Sequence, residues 1–326
     1  MNIAVTGAAG FLGDRLADAL LSEDSPLDVA SLLLVDTREP RSRSDPRVRT
    51  LALDLTTPRA AEILVTPDRH VLFHLAAVVS GHAEADFDLG FAVNFDVTRA
   101  LLEAARKCAP TLCFIFASTV GVFGGELPAV VGDSTAATPQ NTYGVGKAMS
   151  ELLVNEYSRR GFLDGRALRL PTVAVRGGAP NRAVTSFASA IVREPLRGQE
   201  AVCPVAATQR LWVCSPRAAV RNLLHAASLP PAVLSAWRVF NLPGLSVSVR
   251  DMLSALREVA GDAVAKRVTF AHDDTVARIV ASFPHEFDVS RALRLGFVAD
   301  RDFAEIIRIF IEEESGQIHK HLDSLT

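Results

Sequence analysis

Tyr143-Gly144-Val145-Gly146-Lys147 sets a phenol and an ammonium one helical turn apart on the same face. A free phenol titrates near 10 and is a poor base at neutral pH. An adjacent ammonium favours the phenolate and draws it toward the working range, which makes the pair a candidate general base. The chain has only two tyrosines and four lysines, so this spacing seldom arises by accident. The plain alternative is an exposed polar pair on a helix surface. A second run that could do chemistry is Thr6-Gly7-Ala8-Ala9-Gly10-Phe11-Leu12-Gly13, which follows an apolar run and opens an amphipathic one. Gly7 permits a tight turn, Gly10 lets backbone approach a pyrophosphate, and Gly13 lets the helix pack closely on its strand. A helix beginning at Phe11 then offers free N–H groups and its positive end to the phosphates.

Asp36 closes the next apolar run 23 residues after Gly13, near the ~20 expected for the carboxylate that accepts from the adenine ribose of a dinucleotide. A carboxylate there repels a 2′-phosphate, so NAD is expected over NADP; Arg38 nearby argues the other way. Asp54, in Ala52-Leu53-Asp54-Leu55, could accept from the adenine amino group and reads equally as a loop carboxylate capping the next turn.

These residues need a frame, and the first half of the chain supplies one. Strands are expected over Asn2–Thr6, Ser31–Val35, Arg49–Leu53, Val71–Leu75, Thr111–Ala117 and Arg166–Leu170. Helices are expected over Phe11–Leu21, Phe91–Cys108 and Tyr143–Arg160. Alternation at this spacing means βαβ units and a parallel sheet, and near-continuous apolar runs such as SLLLV and CFIFA suit strands buried on both faces. The fold class is therefore α/β, a Rossmann doubly wound parallel sheet with a smaller C-terminal lobe. Residues 1–170 are expected to form the dinucleotide-binding domain, with about 210–244, including a late strand Val239–Leu242, returning to it. Residues 171–209 and 245–326 are expected to form the substrate lobe, closed by an amphipathic helix over Asp302–Glu313.

With 34 basic against 37 acidic residues and a net charge of −3, the chain has no electrostatic footprint for nucleic acid. Mean hydropathy is +0.22, yet no run of eighteen apolar residues occurs, so no membrane span is expected. Asp14, Arg15 and Asp18 interrupt what would be the apolar part of a signal peptide. Cys108, Cys113, Cys203 and Cys214 show neither C-x-x-C pairs nor the density of a disulfide scaffold, and Cys108 and Cys113 read as small buried hydrophobes. A protein of a reducing, cytoplasmic compartment is expected.

The glycine run, His74-Leu75-Ala76-Ala77, Ser118-Thr119, Tyr143/Lys147 and Asp288-Val289-Ser290-Arg291-Ala292 before Leu295-Gly296-Phe297 resemble the extended short-chain dehydrogenase/reductase (NAD-dependent epimerase/dehydratase) family. The resemblance implies that Thr119 holds the substrate oxygen, that Tyr143 is the general acid/base, and that Lys147 tunes it and anchors the nicotinamide ribose. It also implies that Gly7, Gly10, Phe11, Leu12, Gly13, Asp36, Asp54, Leu55, Ala76, Ala77, Asn94 and Pro171 meet NAD. Val97 stands where the family usually has a glycine, three residues after Asn94. Members often form homodimers through the helices that here begin near Phe91 and Tyr143, for which Leu101, Leu102, Leu152 and Leu153 offer apolar surface.

Departures narrow the branch. Val120 and Gly121 follow Thr119 where sugar dehydratases carry an acidic pair, so no acid is placed to eliminate water. Arg210-Leu211-Trp212-Val213-Cys214 keeps the arginine of the epimerase second lobe and loses its acids. The stretches Ala77–Gly90, Ser158–Phe162, Asp164–Thr172 and Arg193–Leu196 resemble a branch that oxidises the 2-hydroxyl of a small sugar acid with NAD. Such a substrate needs a cation for its carboxylate, for which Arg210 is the expected residue, with Ser80 and Asn181 for hydroxyls; the alternative for Arg210 is an interlobe salt bridge. Two other activities compete: an NDP-sugar epimerase holding NAD tightly, and a non-catalytic dinucleotide-binding regulator.

Overall fold

The computed structural model describes residues 1–178 and 183–314. Seven parallel strands form the central sheet: β1 (Asn2–Thr6), β2 (Ser31–Asp36), β3 (Val48–Ala52), β4 (Val71–His74), β5 (Cys113–Thr119), β6 (Asp164–Leu170) and β10 (Val239–Asn241). Their order is β10-β6-β5-β4-β1-β2-β3, so the chain winds outward from β1 in both directions. The crevice that results at the C-terminal ends of β1 and β4 is where open α/β sheets bind ligands. Ile3, Val5, Leu32, Leu34, Phe73 and Ile115 feed the core on one face; Ala4, Leu72, Phe114 and Phe116 feed the other. Alternation of this kind buries the central strands on both faces and accounts for the unbroken apolar runs, while edge strand β3 stays partly exposed.

The helices that flank the sheet early in the chain are α1 (Phe11–Leu21), α2 (Ala60–Leu64), α3 (Ser80–Ala85), α4 (Phe87–Phe91), α5 (Val97–Cys108) and α6 (Thr142–Arg159). The single helix expected from Phe91 begins earlier, with Asp86 as N-cap accepting from Leu89 N at 3.0 Å. A π-helical turn, Ala92–Asp96, joins α4 to α5. Such turns admit one extra residue and often mark functional sites. Val97 is buried in the core beneath it, so the larger side chain is accommodated where a glycine was usual.

Strand β5 ends two residues later than expected, which leaves Thr119 as its last residue. Arg210–Cys214 (β9) does not join the large sheet as the expected return at 210 implies. It pairs parallel with β7 (Thr172–Val173) and antiparallel with β11 (Leu245–Ser248) in a separate three-stranded sheet. Leu211 and Val213 pack in the second core with helices α7 (Phe187–Leu196), α9 (Val249–Ala260) and Phe303–Glu313. The chain regains the central sheet through α8 (Pro216–Ser228), whose Ala219, Leu223 and Ala226 join the first core, and through β10. A short parallel pair, β8 (Ala201–Cys203) and β12 (Val268–Phe270), completes the smaller lobe. Among the described residues no helix is long and apolar enough to cross a membrane. All four cysteines are free, Cys108 and Cys113 half-buried rather than fully buried.

Candidate active site

Loops from the C-terminal ends of β1, β4, β5 and β6 converge on one cleft. Its lining includes Gly7, Gly10, Phe11, Leu12, Gly13, Ala77, Ser80, Ser118, Thr119, Tyr143, Lys147, Pro171 and Arg176. The glycine turn is steric necessity. A Cβ at Gly7, whose φ is +70°, would lie 2.7 Å from Ala76 N, and one at Gly13 would lie 2.2 Å from Gly7 O. Gly10 begins α1 without a side-chain cap. The first N–H groups of a helix have no intrahelical acceptor, and those of Phe11, Leu12 and Gly13 belong to residues that line the cleft. This cradle fits a pyrophosphate.

Asp36 ends β2 beside the cradle, and its Oδ2 accepts from Ala9 N at 3.0 Å. A second hollow shares Gly10 and Phe11 with the cleft and runs past Ala9, Arg38 and Arg41. Ala76 does not line the cleft; its N–H donates to Thr6 Oγ1, which pairs with His74 Nδ1 at 2.8 Å, and His74 Nε2 meets Thr98 Oγ1. Asn94 is likewise one step removed. Its amide accepts from Val78 N and donates to Val78 O, both at 3.0 Å, fixing the loop that carries Ala77 and Ser80. Asp54 is exposed and caps its own turn, accepting from Thr56 N at 2.9 Å, while Leu55 packs on the core. Neither lines the cleft.

The helix that carries Tyr143 and Lys147 is held close by small residues. Asn141 caps α6 by accepting from Gly144 N at 2.8 Å, and Glu84 accepts from Thr142 N and Oγ1 at 3.0 and 3.1 Å. A Cβ on Gly144 would lie 2.5 Å from Gly121 O, and one on Gly146 would lie 3.1 Å from Asn94 Cβ. Each interior glycine costs a helix about 1 kcal/mol, and here each admits a neighbouring backbone or side chain that a larger residue would expel. The two glycines inside the Tyr-x-x-x-Lys motif were the sequence signal for this contact.

Lys147 is only 1 % exposed, and its Nζ donates to Ala117 O at 2.9 Å. Nζ stands 4.5 Å from the Phe116 ring centroid and 5.8 Å from that of Tyr143. Burial takes the ammonium down to about 7, against the pull of the Glu151 carboxylate. Burial also pushes the Tyr143 phenol up to about 12, opposed by a hydrogen bond with Thr119 and by the charge of Arg176. Below them lies a buried triad that sequence reasoning did not find. Ser118 Oγ donates to Glu151, and Arg169 grips the same carboxylate through Nε and Nη2, the latter at 2.8 Å. Glu151 lies four residues after Lys147 on the same helix, which was the only sequence clue to it.

The residues expected to meet substrate divide. Ser80 and Thr119 line the cleft; Asn181 lies outside the described residues. Arg210, on β9 of the second sheet, does not line the cleft. Its guanidinium donates to Ser246 O at 2.8 Å and to Ser246 Oγ, and it faces Asp251 and Glu286 at 3.9 and 4.0 Å. The salt-bridge alternative describes it.

Residues 3–236 match the family model described as the NAD-dependent epimerase/dehydratase family. This chain belongs to that family. Its similarity to individual members extends over nearly the whole chain. It is 48% identical over 313 residues to a D-erythronate dehydrogenase of Haemophilus influenzae, covering 96% of this chain and 99% of the relative. It is 50% identical over 319 residues to a D-erythronate dehydrogenase of Cupriavidus necator, covering 96% and 98%. A solved structure described as a nucleoside-diphosphate-sugar epimerase from Agrobacterium tumefaciens superposes with a TM-score of 0.93 at 41% identity, covering 97% of this chain and 95% of that one.

Proposed function

We propose that this chain is an NAD-dependent dehydrogenase that oxidises the 2-hydroxyl of a small sugar acid resembling D-erythronate to the 2-keto acid. The observation that carries the reading is one cleft holding the glycine cradle together with Thr119, Tyr143 and Lys147. Near-full-length likeness to two D-erythronate dehydrogenases supports the substrate class.

The cradle of Gly7, Gly10 and Gly13 and the open start of α1 would hold the pyrophosphate of NAD, and Asp36 the adenine ribose. When bound, NAD supplies the acceptor for the hydride that leaves C2 of the acid. The protein does the rest. Thr119 Oγ1 steadies the substrate oxygen, Tyr143 Oη takes its proton, and Lys147 holds the phenolate by its charge. The apolar walls, Leu75, Val79, Val120, Leu170 and Phe283, exclude water from the reacting carbon and strengthen every charge interaction inside.

A homodimer fits the surface, though of the four leucines expected to serve it only Leu152 is exposed. Leu101 and Leu102 are 1 % and 0 % exposed, and Leu153 packs on its own core, so none is available to a partner. Leu152 on α6 and Phe87 on α4 are each 60 % exposed, and Phe87 stacks on Phe91 at 4.6 Å. The pairing of these helices with their copies would cover that patch. Four free thiols suit a reducing, cytoplasmic setting.

A second reading, an NDP-sugar epimerase, is favoured by the description of the Agrobacterium structure. Absorbance of NADH separates the two. Purified protein with NAD and a panel of four- to six-carbon aldonates should accumulate NADH with erythronate or a close relative. Interconversion of NDP-sugars without net NADH, and silence toward every aldonate, would replace the dehydrogenase reading by the epimerase one.

A further inference from the structure

In a 2-hydroxy acid the carboxylate is one bond from the carbon that is oxidised. Whatever cation binds it must therefore stand on the same wall as the general base, within reach of the group that takes the hydroxyl proton. This constraint decides among the basic residues of the smaller lobe and the cleft floor. Lys147 is buried behind Tyr143 and committed to Ala117 O. Arg169 is held by Glu151. Arg193, 3 % exposed, is paired with Glu194 at 2.6 Å. Arg210 is spent on Ser246 in the second sheet. Of the four arginines, Arg176 alone lines the cleft, and it has no carboxylate partner among the described residues.

Resting on the dehydrogenase reading above, we infer that Arg176 binds the substrate carboxylate and restricts the cleft to acids. The placement is built into the backbone. Arg176 N donates to Ser189 Oγ at 3.0 Å and Arg176 O accepts from Arg193 Nη1 at 2.8 Å, so helix α7 holds the residue from both sides. Arg193 is thereby a positioning residue for Arg176. The guanidinium stands 5.5 Å from the centroid of Phe11, a ring that also lines the cleft. Arg176 and Tyr143 both line this cleft, and the charge of Arg176 works against the upward shift of the phenol. Burial and the like charge of Arg193 both disfavour the cation. An incoming carboxylate relieves both, and a guanidinium can meet it with two parallel hydrogen bonds.

The remaining lining sharpens the specificity. Ser80, Thr185, Ser186 and Ser189 offer hydroxyls, and no Asp or Glu is among the described residues that line the cleft. A polyhydroxy chain finds partners there; an ammonium group finds no anion. The cleft thus suits a hydroxy acid and disfavours an amino acid of the same length.

The test compares erythronate with erythronamide, a neutral isostere that keeps every hydroxyl. Wild-type enzyme is expected to prefer the acid by about 30- to 100-fold in kcat/KM, the size of a charge-assisted pair. Arg176→Gln should bring the two substrates within about threefold by raising KM for the acid, with Kd for NAD by calorimetry unchanged. Arg176→Lys, which keeps the charge and loses the fork, should retain roughly tenfold discrimination, and serves if the glutamine variant folds poorly. A glutamine or lysine variant with the full wild-type preference for the acid overturns the assignment. So does weakened NAD binding with the acid preference intact, which would give Arg176 to the cofactor. Failure of the wild type to oxidise any sugar acid is a separate result and removes the dehydrogenase reading itself.

Discussion

Lys147→Met tests the proton chemistry directly. In the folded protein Lys147 keeps its proton only to about 7, while Tyr143 by itself would hold its proton to about 12. The pair therefore releases one proton near neutrality, and the proton that remains is shared between phenol with amine and phenolate with ammonium. In the proposed mechanism the second arrangement is the working base. Lys147 supports it: at the 5.8 Å between Nζ and the Tyr143 ring centroid, an effective dielectric near 20 gives about 3 kcal/mol of attraction, roughly two pKa units. Methionine keeps the length and packing of the side chain and removes the charge. Tyr143 is then a solitary phenol titrating near 12, ionised to about one part in ten thousand at pH 8. With saturating NAD and acid, wild-type kcat should climb through pH 7 and level off. Two pKa units of attraction keep about one part in a thousand of the wild-type pair as phenolate with ammonium, so the variant's kcat at pH 8 should fall about tenfold and rise tenfold per pH unit up to pH 10. A deuterium effect at C2 would confirm that the chemical step is being read. Activity within threefold of wild type at pH 8, or a plateau preserved above pH 7, refutes the reasoning.

Three other outcomes follow from the same geometry. Asp36→Ala removes both the ribose acceptor and the repulsion of a 2′-phosphate while leaving Arg38 and Arg41 beside the hollow, so the ratio of NAD to NADP efficiency should fall at least tenfold; wild-type enzyme that already prefers NADP would defeat this account of Asp36. Glu151→Gln leaves Arg169 buried without its counter-charge and should cost about 3–5 kcal/mol in denaturant unfolding, whereas replacing Glu151 and Arg169 together by methionine should cost much less; equal costs would mean the pair is not coupled. His74 is buried neutral, its pKa taken down to about 3 by burial and by Lys147. The unfolded chain binds that proton near 6.5, so stability is lost as pH falls from 6.5 toward 3, by up to about 5 kcal/mol. His74→Gln should flatten that part of the stability profile, and an unchanged acid slope would count against it.

Much of this protein is written in short stretches of its sequence. The glycine turn, its strand and its helix occupy twenty consecutive residues, and backbone sterics leave few ways to arrange them. Tyr143 and Lys147 are four apart, so any helix there puts them on one face. Runs such as SLLLV and CFIFA needed only the rule that a strand buried on both faces is apolar on both. Asp36 could be read by its distance from Gly13, because a βαβ unit has a nearly fixed length. Tertiary structure decided what no local rule reaches. Arg210 and Arg176 are the same residue type, 34 positions apart, and only the separate three-stranded sheet shows that the first is turned to Ser246 while the second lines the cleft. Leu152 and Leu153 are neighbours on one helix, and the core it packs against chooses which one is exposed and which packs inward. The Ser118–Glu151–Arg169 triad joins β5, α6 and β6, three elements that meet only in the folded sheet. The pKa of Lys147 belongs to the same class. Its displacement arises from removal of water by the walls around it, and those walls come from distant parts of the chain.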